Sequence, residues 1–373
     1  MKGWKKVLYG IFYKRLPIIC FLLVLGLVHP GQAELSPEWG GENWNKRLTE
    51  PYQEWKPIRE ALTELAGRAG VNELNFSAGR NDTFMVPLSK GMTLKEAFQN
   101  ASSLHALEGL WENGRLTVRE TKKAGNWQSI IGGTSVPIML GEVKGSLLRP
   151  AGKKLNKQAP WVWYAPNSMG PYHAWLCKQL LDEGISIVSV GVGESQGNPK
   201  GREIFTAFYE KLRAEYGLAK KAVLFPQSRG GLMLYNWAAE HPKCVAAIGG
   251  IYPVCDIRSY PKMEIAAKAY GLKIEELESQ LLLHNPVDRL EPLAKAGIPI
   301  FHVHGDKDGT VPLEKNSAEL ARRYRALKGE ITVLVVPGKG HENPANGREF
   351  FQCKELAAFL IKQAKAAVES KEE

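Results

Sequence analysis

The chain is poor in cysteine, with five in 373 residues. So small a supply excludes a disulfide-stapled scaffold, and no Cys-x-x-Cys or Cys/His spacing offers a structural zinc site. Long apolar runs are scarce too. The stretch 16–28 holds thirteen residues, about 20 Å of helix against a hydrocarbon core of about 30 Å, too short for a retained membrane span. No basic patch interleaved with aromatics occurs, so the formal charge of +10 does not argue for nucleic acid as a partner.

Acidic residues are missing altogether from residues 1–33, which instead carry Lys2, Lys5, Lys6, Lys14 and Arg15. A basic start, a short apolar stretch and the small residues Gly31 and Ala33 read as a signal peptide cleaved between Ala33 and Glu34. Cys20 lies inside the apolar stretch and not at the cleavage site. Removal of five positive charges from +10 leaves +5. The expected mature protein is therefore secreted or periplasmic, with no stable membrane span after cleavage. Four cysteines remain: Cys177, Cys244, Cys255 and Cys353. They admit three disulfide pairings, and buried free thiols filling core space are the simpler reading.

After a Trp-rich lead-in (34–50), the spacing of Ile58, Leu62, Leu65 and Ala69 predicts a helix that Pro57 opens and Gly70 stops. Strands are expected at 71–76 and 83–88, then a helix from a Thr93–Glu96 capping box to about Ser103. Strands at 107–111 and 115–118 flank Asn113-Gly114, the strongest short hairpin signal. This 51–120 unit, with PIREALTELAGRAGV and VPLSKGMTLKEAFQNASSLHALEGLWENGRLTV, resembles the short N-terminal domain of secretins and TonB-dependent receptors. The resemblance implies a small α+β domain serving protein contact in the cell envelope. Packing as a decorative module on its neighbour is the competing expectation.

Beyond a polar linker at 121–126, strands and helices alternate in the manner of a parallel sheet covered on both faces. Strands are expected at 161–165, 185–190, 222–225, 245–251, 298–304 and 331–336. Helices are expected near 172–183, 202–216, 231–240, 314–327 and 349–367. The segment 256–293 breaks the rhythm and is a candidate cap insertion.

The run Ala222-Val223-Leu224-Phe225-Pro226-Gln227-Ser228-Arg229-Gly230-Gly231 leads from a strand through a tight turn into a helix, lifting Ser228 above the sheet. A serine nucleophile needs a base, the base needs an orienting carboxylate, and the developing oxyanion needs donors. Those partners follow in order: Gly305-Asp306-Lys307-Asp308-Gly309-Thr310-Val311-Pro312, then Gly338-Lys339-Gly340-His341-Glu342. The order Ser228, Asp308, His341 at strand ends resembles the α/β-hydrolase superfamily, especially its prolyl-oligopeptidase-like and acyl-esterase branches, over residues 127–373. The resemblance implies a mostly parallel central sheet with helices on both faces, and a Ser-His-Asp acyl-enzyme mechanism without cofactor or metal.

Pro226 departs from the family's G-x-S-x-G elbow, and a shifted or strained turn is the expectation it raises. Asp308 is preferred to Asp306 as the acid because it precedes x-x-Val-Pro, and Asp256 is the fallback. His302 and His304 share a strand face, which fits either a metal pair or a structural role; the structural role is preferred. The family implies the Arg229 N–H as one oxyanion donor and the loop at Asn167 or Ser168 as the source of the second. The Arg229 side chain fits binding of a carboxylate or a salt bridge at the helix start, and the Ser-Arg pair also resembles glucuronoyl esterases. Tyr172, His173, Tyr252 and Tyr260 are candidate pocket residues. Trp161, Trp163, Trp175 and Trp237 fit core packing better than sugar stacking. The expected substrate is a small-molecule or carbohydrate ester, with a peptidase or a non-catalytic binding protein as alternatives.

Overall fold

The computed structural model describes residue 39 and residues 42–79, 82–112, 115–152, 158–342 and 344–369. The expected signal peptide, its cleavage site, Cys20 and the Asn113-Gly114 turn lie outside the described residues. Residues 39–373 form one compact unit, and it is described by itself.

Thirteen strands occur among the described residues: β1 Lys56–Pro57, β2 Leu74–Phe76, β3 Thr83–Phe84, β4 Leu107–Glu112, β5 Arg115–Glu120, β6 Gly133–Leu140, β7 Val143–Pro150, β8 Trp161–Ala165, β9 Ser186–Val190, β10 Ala222–Pro226, β11 Val245–Ile251, β12 Ile300–Gly305 and β13 Ile331–Val336. The first five belong to the small module. There β2, β5 and β4 form a three-stranded sheet and β1 pairs with β3, around the helices Ile58–Arg68 and Leu94–Leu104. The second helix starts as its sequence dictates: Thr93 Oγ1 accepts from the Glu96 N–H at 3.1 Å, and the Thr93 N–H donates to Glu96 Oε2 at 2.8 Å.

The large sheet has eight strands in the order β13-β12-β11-β10-β8-β9-β7-β6. Its pairings from β13 to β9 are parallel, whereas β6 and β7 form an antiparallel hairpin that joins β9 at one edge. This hairpin is absent from the strand set expected from the sequence. Gly133, Pro137 and Gly145 interrupt the apolar alternation that would have marked it.

Side chains alternate across the sheet, building a core on each face. Val162, Tyr164, Val223 and Phe225 face the helices Ala174–Asp182 and Lys354–Glu369, and the same core runs on into the small module. Trp161, Trp163, Leu224 and Ile248 face the other way, toward the helices Pro199–Tyr216 and Gly230–Glu240. Trp161, Trp163 and Trp237 are fully buried and Trp175 nearly so, so these four are core residues. The small module docks on the first face through Trp175 Nε1, which donates to Gln53 Oε1 at 3.3 Å, and through Trp55. Cys177, Cys244, Cys255 and Cys353 are free thiols. No helix among the described residues is long and apolar enough to cross a membrane.

Candidate active site

Strand β10 ends at Pro226, and two residues later Ser228 sits with φ of +50°, a left-handed conformation that a serine adopts only under constraint. The constraint is packing. The helix Gly230–Glu240 starts so close to its neighbours that a Cβ on Gly230 would lie 2.3 Å from the Ala165 carbonyl oxygen, and one on Gly231 2.2 Å from that of Val254. Only two glycines in succession let the helix approach, and the turn lifts Ser228 out of the sheet.

Pro226 does not spoil this turn. The β10–β11 pairing lapses after Leu224 and resumes at Gln227, while the β10–β8 pairing runs on through Pro226 opposite Ala165. Its ring is accommodated by Gly250, where a Cβ would lie only 3.2 Å from Pro226 Cγ. The neighbouring strand thus makes room for the proline ring, and the turn holds Ser228 in its left-handed conformation.

The loops after β12 and β13 bring in the partners. Ser228 Oγ lies 3.0 Å from His341 Nε2, and His341 Nδ1 lies 2.8 Å from Asp308 Oδ2. Asp308 Oδ1 accepts from the N–H groups of Thr310 and Val311, at 2.9 and 2.7 Å. Burial alone would raise the Asp308 carboxyl, but the His304 imidazole 3.5 Å away and hydrogen bonds from His341 and the Val311 N–H hold it well below the usual carboxylate range. Asp306 instead accepts from the Gly338 N–H at 2.6 Å, and the Lys307 N–H donates to the Lys339 carbonyl, tying the two loops together. Asp256 is occupied by Arg258 and Asn285. It has no contact with His341 that would make it the acid.

A cavity of about 150 Å³ opens beside Ser228, lined by Tyr164, Pro166, Asn167, Ser168, Tyr172, Gln227 and Arg229. Among the described residues nothing accepts from the Arg229 N–H, which follows Ser228 and is free to donate into the cavity. Arg229 Nη2 pairs with Glu194 at 2.9 Å. The Asn167 amide lies beside the same nitrogen, and rotated by 180° its oxygen would accept from it at 3.1 Å. Glu194 went unnoticed in the sequence, where it sits in a polar loop with no spacing to mark it.

Three of the candidate pocket residues are not on the cavity wall. His173 is fully buried beneath it; its Nδ1 accepts from the Gly170 N–H, so Nε2–H donates to Gln227 Oε1 at 2.7 Å. Burial pulls this imidazole down to about 4, which keeps it neutral. Tyr164 donates to the same oxygen, Gln227 Nε2 donates to the Tyr252 hydroxyl, and the Tyr252 ring packs against His341 with centroids 4.3 Å apart. Gln227 therefore joins the floor of the cavity to His341, a role its place beside Ser228 could have suggested. Tyr260 belongs to a separate apolar cluster around Leu232, Val254 and Val311. The 256–293 segment contributes to that cluster and supplies no residue lining the cavity. As for a metal pair, both nitrogens of His302 and of His304 are engaged by protein groups. No lone pair is left for an ion.

The prolyl oligopeptidase family matches residues 202–367, a span containing Ser228, Asp308 and His341. No curated protein sequence matches the chain. Among solved structures, a candidate dipeptidyl aminopeptidase IV from Bacteroides ovatus is similar at a TM-score of 0.53 and 13% identity, over 69% of this chain and 43% of that one. Dipeptidyl peptidase 4 of Porphyromonas gingivalis gives 0.50 and 14% over 62% and 35%. An acylaminoacyl peptidase gives 0.51 and 17% over 71% and 46%. The chain thus spans less than half the length of these peptidases. Their shared fold is the α/β-hydrolase fold, which this chain has.

Proposed function

We propose that this chain, a serine hydrolase of the α/β-hydrolase superfamily, cleaves a peptide or aminoacyl amide bond through a Ser228 acyl enzyme. His341 takes the proton of Ser228 as its Oγ attacks the carbonyl carbon, and the Arg229 N–H stabilises the oxyanion. Asp308 holds the imidazole and offsets its positive charge. His341 then protonates the leaving amine and afterwards activates the water that releases the acyl group. The observation that carries the reading is the Ser228–His341–Asp308 contact chain inside the span that matches the prolyl oligopeptidase family.

An ester substrate is the second reading. Its support is the cavity, whose 150 Å³ falls below the roughly 300 Å³ at which small-molecule sites begin and suits a short acyl group. The site of action proposed from residues 1–33 is outside the cytoplasm. Residues 51–120 are proposed, from their sequence resemblance, to contact an envelope protein. Matched substrates separate the two chemistries: aminoacyl and dipeptidyl p-nitroanilides against p-nitrophenyl esters of the same acyl groups. Hydrolysis of an anilide that is lost in Ser228→Ala supports the peptidase reading, and turnover of esters alone replaces it with the second.

A further inference from the structure

The geometry points to His304 as a positioning residue for the triad, its tautomer fixed by a buried chain of hydrogen bonds that begins on the helix following Ser228. The inference rests on the proposed role of Ser228, His341 and Asp308. Tyr235, His302, Ser317 and His304 are all essentially inaccessible to solvent. Tyr235 Oη lies 2.7 Å from His302 Nε2, and His302 Nδ1 lies 2.9 Å from Ser317 Oγ. Ser317 Oγ lies 2.8 Å from His304 Nδ1, and His304 Nε2 lies 2.8 Å from the Val311 carbonyl oxygen.

One end of this chain sets every proton in it. A carbonyl can only accept, so His304 Nε2 carries the hydrogen and, in the neutral ring, Nδ1 is a lone pair. Ser317 must then donate to His304 and accept from His302 Nδ1–H. That leaves His302 Nε2 as the acceptor of the Tyr235 hydroxyl. Burial pulls His302 down to about 3, so it stays neutral throughout.

The consequence lies at Asp308. His304 Nε2 is 3.5 Å from Asp308 Oδ2, the oxygen that receives His341 Nδ1–H. With the tautomer fixed, a hydrogen faces the carboxylate; the other tautomer would aim a lone pair at both the Val311 carbonyl and Asp308. Val311 is gripped twice, its carbonyl by His304 and its N–H by Asp308 Oδ1. The relay thereby holds the acid's turn in place. The titratable groups facing His304 are Asp308, His302 and the Tyr252 ring, 6.5 Å away between centroids. Tyr252 is pushed up by burial and stays neutral.

Glutamine and asparagine divide the two ends of the imidazole. His304→Gln reaches the Nε2 position and keeps a donor toward Val311 and Asp308, whereas His304→Asn reaches only toward Ser317. With p-nitrophenyl acetate as probe, His304→Asn is expected to lower kcat by about 10- to 100-fold at unchanged KM. The acid limb of its pH–rate profile is expected to move to lower pH, because the imidazolium loses a correctly held carboxylate. His304→Gln should retain kcat within about threefold of wild type. Should His304→Asn not fold, Ser317→Ala is expected to show the same loss in milder form and Ser317→Thr to reverse it. Independently of turnover, ¹⁵N chemical shifts of labelled histidines should show Nε2–H on His304 and Nδ1–H on His302. Equal kcat and pH limb in the asparagine and glutamine variants, or Nδ1–H on His304, would overturn the inference. Labelling of wild-type Ser228 by a fluorophosphonate reports on the triad's role separately, so failure of the relay and failure of the triad give different results.

Discussion

Trp55 donates its indole N–H to the Ala345 carbonyl at 2.7 Å, joining the small module to the loop that follows His341. The same indole stacks on Phe351 with centroids 6.4 Å apart and planes 3° from parallel. Phe351 in turn packs against Tyr172 and His173 beside the cavity. Residues 51–120 thus brace the side of the site that carries His341.

Trp55→Ala is expected to lower both stability and turnover. The lost hydrogen bond and stacking sum to about 1–3 kcal/mol, read as a fall in urea midpoint. Trp55→Phe should recover the stacking part alone. If Trp55→Ala retains full kcat, the module does not support the base.

At the elbow, Gly231→Ala drives a methyl to within 2.2 Å of a backbone oxygen. Neither partner is a flexible side chain, so the helix start must shift. A loss of about 1–3 kcal/mol in denaturant unfolding is expected, together with at least a tenfold drop in kcat as Ser228 leaves its position. Wild-type activity in this variant would show that the close approach is not what sets the elbow.

For Pro226 the expectation runs the other way. Because Gly250 makes room for the proline ring, Pro226→Gly relieves no clash. It should give no gain in activity and should cost about 0.5–1 kcal/mol through the greater freedom of the unfolded chain. A clear rise in kcat would show that the proline strains the turn.

Asp308 makes stability and activity depend on pH together. Its carboxyl is held low in the folded protein. Its contribution is therefore complete above the unfolded carboxylate value of about 3.9 and is lost as pH falls through the folded value. Asp308→Asn should be less stable than wild type at pH 7, with the gap closing below about pH 4. Its kcat should fall about 10⁴-fold, the scale seen when a triad carboxylate is replaced by its amide. A stability gap that is constant from pH 7 to pH 3 would contradict this account of the acid.

What could be seen in the sequence was what local chemistry specifies. The Thr93–Glu96 capping box, the run from β10 into the Ser228 turn and the glycine-flanked loops of Asp308 and His341 each carry a short pattern with one physical reading. The rest depends on contacts between distant segments. Ser317 bridges His302 and His304 from the start of a helix that follows the acid loop, and nothing near it in sequence marks the role. Tyr260 resembled a pocket residue because it follows β11, yet its chain turns into the cluster around Val254. The β6–β7 hairpin was hidden because Pro137 and two glycines dilute its alternation, and its burial comes from a neighbour, β9, in the middle of the sheet.

Ser228 is proposed to be a nucleophile activated by His341. Intact-mass analysis after treatment with a fluorophosphonate tests it without knowledge of the substrate. One covalent adduct is expected on the wild-type protein, located to the peptide containing Ser228, and none on Ser228→Ala. Absence of an adduct on the folded wild type, or equal labelling of both proteins, would contradict it.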